Sequence, residues 1–348
     1  MSKNDQITGV IEGFYGRQWS WQNRADYALF LAENGFNSYI YAPKGDSWLR
    51  KQWRQLWPAD VLSSLSTLRA KYRRHNIRFG IGFSPYELYL DFTPQSRILL
   101  DAKLAQIEHL QPDIFCILFD DMRGDLPQLA DTQLRITDYI ASRTSASHIV
   151  VCPTYYSDDP VLDQVFGRRP ANYLQQLSAG LDKSWDLFWT GDKVCSQGYE
   201  DDYLDDVAER LGRKPLIWDN YPVNDGRLTS DYLHLAPPRQ RAILPRVSGL
   251  LANPMNQPTL STLPLQGLAK ALFTAHDKPL SVSRMISLEC EKKLMQYAGR
   301  FQYEGLKGID QVDRDNIINA FKGLEEPAAV ELRQWMMGRY AFDPACLT

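Results

Sequence analysis

Eight short apolar runs, each followed by a longer amphipathic stretch, recur through about residue 275 and dictate most of what this chain can fold into. They are Thr8–Glu12, Phe36–Tyr41, Ile77–Phe83, Ile114–Phe119, His148–Cys152, Asp186–Trp189, Pro215–Trp218 and Ser248–Leu251. Such near-continuous runs suit parallel strands buried on both faces, which lack the polar alternation of a half-exposed sheet. The segments Asn23–Asn34, Asp60–Asn76, Pro94–His109, Gln128–Ser145 and Glu200–Leu211 carry helical spacing between them. Eight strands alternating with helices predict a TIM (β/α)8 barrel, a fold of roughly 250 residues. The weakest fit follows the seventh run, where Tyr232–Arg241 is proline-rich and reads as a loop.

The chain has 348 residues, and its surplus is patterned differently. Ser281–Gly305 and Gln311–Met337 show helical spacing with no strand runs. The expected organisation is a barrel over residues 1–275 and a short helical C-terminal region over 276–348. That region can pack on the barrel as a lid or form a homodimer interface. Its Trp335-Met336-Met337 cluster reads as core.

Charge and cysteine content narrow the partners. A net charge of −3 supplies no basic face for nucleic acid and no polybasic patch for a membrane. The N-terminus lacks the apolar core of a signal peptide, and no run is long enough to span a bilayer. Five cysteines, Cys116, Cys152, Cys195, Cys290 and Cys346, are odd in number and widely spaced. Most read as small buried hydrophobes rather than a disulfide framework, which points to a reducing cytoplasm. The five histidines show no HxH or HExxH spacing and none ends a strand run, so no metal site is expected. Nucleotide-binding and nucleophile-elbow motifs are absent from the sequence, and no cofactor is expected.

In a TIM barrel the chemistry sits at the C-terminal ends of the strands. Those ends are rich here: Glu12-Gly13-Phe14-Tyr15-Gly16, Lys44-Gly45-Asp46, Asp120-Asp121, Cys152-Pro153-Thr154-Tyr155-Tyr156, Trp218-Asp219-Asn220, Asn224-Asp225 and Asn253-Pro254. The sharpest is Asp120-Asp121. An isolated doublet of this kind more often caps the next helix. Its place directly after a strongly apolar run favours chemistry instead. Neighbouring Cα atoms lie about 3.8 Å apart, so two carboxylates crowd each other and one pKa rises. A carboxylic acid kept protonated near neutral pH is what general acid catalysis requires. Adjacent carboxylates cannot easily flank a sugar ring as in conventional glycosidases. They can serve a leaving oxygen and the sugar's own 2-substituent, a geometry that suits substrate-assisted catalysis.

Taken together, the segments Gly9–Trp19, Asn37–Asp46, Phe119–Asp121, Cys152–Tyr156, Trp189–Ser196, Ile217–Asp225 and Gly249–Pro254 resemble the family 84 glycoside hydrolases. That family includes the O-GlcNAcases and hyaluronidase-like bacterial β-N-acetylglucosaminidases. Seven motifs in family order cover about residues 8–275. The resemblance implies that Asp120 orients and polarises the 2-acetamido group while Asp121 is the general acid and then the general base. An oxazoline intermediate would give net retention. It further implies that Gly13 binds sugar through its backbone carbonyl, Lys44 binds a ring hydroxyl, Asp225 accepts from the 4- and 6-hydroxyls, and Asn253 binds a neighbouring hydroxyl. Cys152, Tyr156 and Trp218 would enclose the acetamido methyl, with Asn220 positioning that group. Gly226 stands where many relatives carry an aromatic residue, which implies a more open outer wall.

The implied substrate is GlcNAc β-linked to Ser or Thr of a protein or peptide, or a small β-GlcNAc glycoside. Two other readings remain: a catalytically idle GlcNAc-binding scaffold, and the same chemistry on hyaluronan or peptidoglycan fragments. The intact Asp120-Asp121 pair argues against the first. The slightly acidic chain makes a polyanionic substrate less attractive.

Overall fold

The computed structural model describes residues 6–237, 243–273 and 285–342. Its eight strands are β1 (Ile7–Ile11), β2 (Ser38–Tyr41), β3 (Arg78–Phe83), β4 (Ile114–Leu118), β5 (His148–Cys152), β6 (Asp186–Trp189), β7 (Leu216–Asp219) and β8 (Gly249–Ala252). They pair in sequence order, all parallel, and β8 closes onto β1 through Ile7 opposite Gly249. Each predicted run lies within two residues of its strand. The strands are almost wholly buried, which is why their sequences lack alternation.

The outer layer is α1 (Trp21–Glu33), α2 (Ala59–Arg74), α3 (Pro94–Glu108), α4 (Leu129–Ala141), α5 (Val161–Val165), α6 (Tyr173–Gly180), α7 (Asp201–Leu211) and α8 (Pro258–Leu272). Local chemistry sets their ends. Ser20 with Asn23 and Thr93 with Ser96 form reciprocal capping bonds at α1 and α3. Gly212, in the left-handed region, ends α7. No α-helix lies between β7 and β8 among the described residues, in line with the proline-rich loop read there.

Beyond the barrel come α9 (Leu288–Tyr303), α10 (Gly305–Gly308), α11 (Gln311–Ala320) and α12 (Pro327–Met336). The helical spacing read over Gln311–Met337 therefore covers two helices. Gly323 at φ 88° and Pro327 separate them, since neither residue continues a helix comfortably. These helices enclose a second apolar core around Phe301, Phe321 and Trp335, which also takes in Leu233, Met255 and Leu260 from the barrel side. Trp335 and Met336 are buried as expected, but Met337 is 57% exposed and belongs to the surface. The expected boundary at 275/276, the start of Ser281–Gly305, His276 and Cys346 lie outside the described residues. Among those residues no helix is long and apolar enough to cross a membrane, and no cluster of His, Cys, Asp and Glu could hold a metal ion.

Candidate active site

A cavity of about 180 Å³ opens at the C-terminal ends of the strands. Gly13, Lys44, Asp120, Asp121, Cys152, Tyr156, Trp218, Asn220, Asp225 and Asn253, the ten residues picked from the sequence, all line it. Several other strand-end acids do not. Glu12, Asp46 and Asp219 are fully or almost fully buried in the barrel wall. Glu12 pairs with Arg24 at 2.9 Å, Asp46 accepts from the Tyr41 hydroxyl and Trp57 Nε1 at 2.9 Å each, and the Tyr199 hydroxyl approaches Asp219 at 3.3 Å.

The two aspartates reach the same cavity because the backbone breaks its alternation. Side chains of successive strand residues point to opposite faces. Phe119 still donates to the Cys152 carbonyl at 2.9 Å, but Asp121 adopts φ 56°. That left-handed turn swings its carboxylate round beside that of Asp120. Arg50 secures the turn, with Nη2 donating to the Asp121 carbonyl at 3.1 Å. Its guanidinium also lies over the Tyr15 and Tyr86 rings.

Lys44 Nζ donates to Asp120 Oδ2 and lies 3.8 Å from Asp121 Oδ2. The Tyr15 hydroxyl donates to Asp121 Oδ2 at 2.7 Å and the Tyr156 hydroxyl to Oδ1 at 3.1 Å. Burial raises the proton affinity of Asp121, but Lys44, the Tyr15 hydroxyl and Arg50 outweigh it, so its pKa falls below the usual carboxylate range. Burial pushes Asp120 upward, and the neighbouring Asp121 charge adds to this against the pull of Lys44. Asp120 Oδ1 is buried and has no donor among the described residues. The two proton affinities do split, with burial first and the Asp121 charge second raising that of Asp120, while the donors and cations around Asp121 lower its own.

One wall is a hydrogen-bonded chain. Gly13 N–H donates to Asn253 Oδ1 at 3.1 Å, and Asn253 Nδ2 donates to Asn220 Oδ1 at 2.9 Å. Asn220 Oδ1 also accepts from Trp218 Nε1 at 3.0 Å, while its Nδ2 donates to the Val194 carbonyl at 2.8 Å. A Cβ on Gly13 would lie 2.0 Å from Trp218 Cζ2, so Gly13 is fixed by the indole behind it. Asp225 Oδ2 accepts from the Tyr15 N–H at 2.6 Å, and burial pushes this carboxyl up to about 6. Burial also raises the Cys152 thiol well above its ordinary value, which argues against a nucleophilic thiolate.

Tyr15, Thr190, Val194, Cys195 and Val223 complete the lining and were not singled out from the sequence. Tyr15 lies inside a strand-end motif, so a signal existed. Arg50 carried none, because nothing local ties it to residue 121. Cys195 is exposed, whereas Cys116, Cys152 and Cys290 are buried; all four are free thiols.

Comparison with known proteins gives this geometry a context. The profile of a family described as β-N-acetylglucosaminidase matches residues 8–294. Protein O-GlcNAcase from Rattus norvegicus and its counterpart from Mus musculus are each 29% identical over 308 residues, covering 82% of this chain and 33% of theirs. The chain thus spans about a third of the length of these curated relatives. The solved structure of a mutant Thermobaculum terrenum O-GlcNAc hydrolase is 28% identical, with a TM-score of 0.73. The match covers 95% of this chain and 80% of that one. A family match over most of the barrel, carried on a closed eight-stranded fold, establishes that the chain belongs to the β-N-acetylglucosaminidase family of glycoside hydrolases.

Proposed function

We propose that this protein is a retaining exo-β-N-acetylglucosaminidase that uses the substrate's 2-acetamido group as nucleophile. The observation that carries the reading is the lone acceptor Asp120 Oδ1. Leaving a buried acceptor unpaired costs about 1–3 kcal/mol, and an acetamido N–H is a donor of the right kind. Bonded there, the amide presents its carbonyl oxygen to the anomeric carbon. The new C1–O bond forms as the glycosidic C1–O bond breaks, and Asp121 gives its proton to the departing oxygen. Water then attacks C1 of the oxazolinium ion, whose N–H stays bonded to the Asp120 carboxylate. The ring C1–O bond breaks, Asp121 takes a proton from that water, and the acetamido group is restored with net retention.

The pair's proton affinities fit this cycle through the substrate. The amide N–H stabilises the Asp120 carboxylate, and the resulting full charge raises the proton affinity of its neighbour. A sugar ring also shuts water away from Asp121. Substrate binding therefore raises the proton affinity of Asp121, the carboxyl that cleavage needs protonated.

The cavity is smaller than the ~300–1,000 Å³ of common ligand sites, which favours a single terminal sugar over an internal polymer unit. Lys44, Gly13, Asn253 and Asp225 bind its hydroxyls, and Cys152, Tyr156, Trp218 and Asn220 hold the acetamido group. We propose GlcNAc on Ser or Thr of proteins, or small β-GlcNAc glycosides, as substrates; the relatives named Protein O-GlcNAcase support the former.

The test is hydrolysis of an aryl β-GlcNAc, followed by an O-GlcNAc peptide, chitobiose and hyaluronan oligomers. Release of β-GlcNAc as first product, with tight inhibition by a thiazoline mimic of the oxazoline, is expected. Binding without any product would establish the idle scaffold instead.

Asp225 supplies a pH signature. Its carboxyl, raised to about 6 by burial, accepts hydroxyl protons best when ionised. The KM is expected to climb about tenfold for each pH unit below 6. Asp225→Asn should flatten that limb, and an unchanged KM profile in the variant would remove Asp225 from this role.

A further inference from the structure

The helix α8 begins without a cap from its own loop. Gln257, at its N-cap, makes no side-chain bond to the first turn. Its Oε1 instead accepts from Asn224 Nδ2 at 3.0 Å. The Thr259 and Leu260 N–H groups of that first turn donate to Glu331 Oε1 and Oε2 at 3.0 and 2.9 Å. The cap thus arrives from α12, more than seventy residues later in the chain. One turn along the same face of α12, Trp335 Nε1 donates to the Ser230 carbonyl at 3.1 Å. Between them, Gln334 Oε1 accepts from Arg17 at 2.9 Å.

Each of these contacts ends on a loop that reaches the cavity. Ser230 closes the turn that begins at Gly226, through its N–H bond to the Gly226 carbonyl at 2.9 Å, and Gly226 follows Asp225. Thr259 lies six residues past Asn253, in the first turn of α8 directly after the β8 loop. Arg17 follows Gly13 and Tyr15 in the β1 loop. The three loops are also tied to one another: Asn256 Nδ2 donates to the Tyr15 carbonyl at 2.8 Å, and the Tyr15 N–H donates to Asp225 Oδ2 at 2.6 Å. Packing alone does not call for a carboxylate inside an apolar core. Glu331 is only 7% exposed beside Ala328, Leu332 and Trp335, and burial pushes its carboxyl up to about 7.

We infer that α12 is a positioning element of the sugar site, with Glu331 and Trp335 as the positioning residues that hold the Asn253 and Asp225 loops in register with Gly13. What those loops touch rests on the glycosidase reading above; the mechanical link does not. The C-terminal helices are then a working part of the site, acting on the side where the sugar's 4- and 6-hydroxyls are bound.

Two conservative variants test this. Trp335→Phe removes one donor and keeps an aromatic ring; Glu331→Gln keeps the volume and one acceptor. In each, the KM for an aryl β-GlcNAc is expected to rise about 3- to 10-fold, with kcat within about twofold of wild type. A 6-deoxy aryl glycoside separates positioning from general loosening. Loss of the 6-hydroxyl should weaken the wild type clearly and Trp335→Phe much less, because both changes disturb one contact. Amide exchange over residues 225–231 and 253–260 should quicken in both variants, with the strands unchanged. Additive losses with the 6-deoxy substrate, a parallel fall in kcat, or unchanged exchange would each overturn the proposal. Wild-type turnover is read first: its absence sinks the glycosidase reading, and α12 is then judged on exchange alone.

Discussion

Asp121→Asn is expected to slow release of GlcNAc from an alkyl-linked substrate by roughly 10²–10⁴-fold, while an activated aryl glycoside loses far less. An alkoxide needs a proton to leave and a nitrophenolate does not, so the gap between the two substrates measures the general acid directly. Asparagine is the informative replacement. Residue 121 holds φ 56°, a region that asparagine tolerates and most residues avoid. Alanine there would mix backbone strain into the result. Binding of the thiazoline mimic should survive in Asp121→Asn. Asp120→Asn should slow both substrates alike, since its partner is the nucleophilic amide rather than the leaving group. Equal losses on both substrates in Asp121→Asn would take the acid role away from this residue.

The largest stability effect is expected one step behind the site. Arg24 and Glu12 are buried, with relative side-chain exposures of 3% and 0%, and are joined by Arg24 Nε and Nη2 at 2.9 to 3.1 Å. The Tyr39 hydroxyl also donates to Glu12, and the Arg24 guanidinium lies over the Trp21 and Tyr41 rings. Removing one member leaves a charge in the barrel wall with no counterion. Arg24→Met is expected to cost about 3–5 kcal/mol. Replacing both, as Glu12→Gln with Arg24→Met, should recover a good part of it, because the penalty belongs to the stranded charge. Chemical denaturation of Arg24→Met, Glu12→Gln and the double variant checks this. A double variant as unstable as the sum of the singles would refute the account. Gly13 follows Glu12, so the same substitution should loosen the sugar side of the cavity.

How much of this was legible in the sequence depended on the range of the interaction. Strand runs were readable because parallel strands covered on both faces need unbroken apolar residues, and β5 and β6 fall where the runs do. The ten chosen lining residues were readable because a barrel presents its strand ends on one rim. Facing was not readable. Glu12 and Asp46 end strands as visibly as Asp120 does, yet point into the wall. Telling them apart needs partners such as Arg24 and Trp57, which only the folded chain brings together. The order of proton affinities within the aspartate pair was hidden for the same reason. It is set by burial together with Lys44, Tyr15, Arg50 and Tyr156, contributed by three other strand-end loops.

The capping of α8 by Glu331 has a consequence for how the protein is made. Domains generally begin to fold from the N-terminal side during synthesis, and contacts distant in sequence form late because loop closure comes first. All eight strands leave the ribosome well before residue 331. A barrel that closed on its nascent strands would do so while the N–H groups of Thr259 and Leu260 and the Ser230 carbonyl still lacked the partners that α12 brings. Such an intermediate would have its chemical pair in place on β4 but a loose grip on the sugar. Recognition would mature after the fold, in the interval it takes to translate about seventy to a hundred further residues.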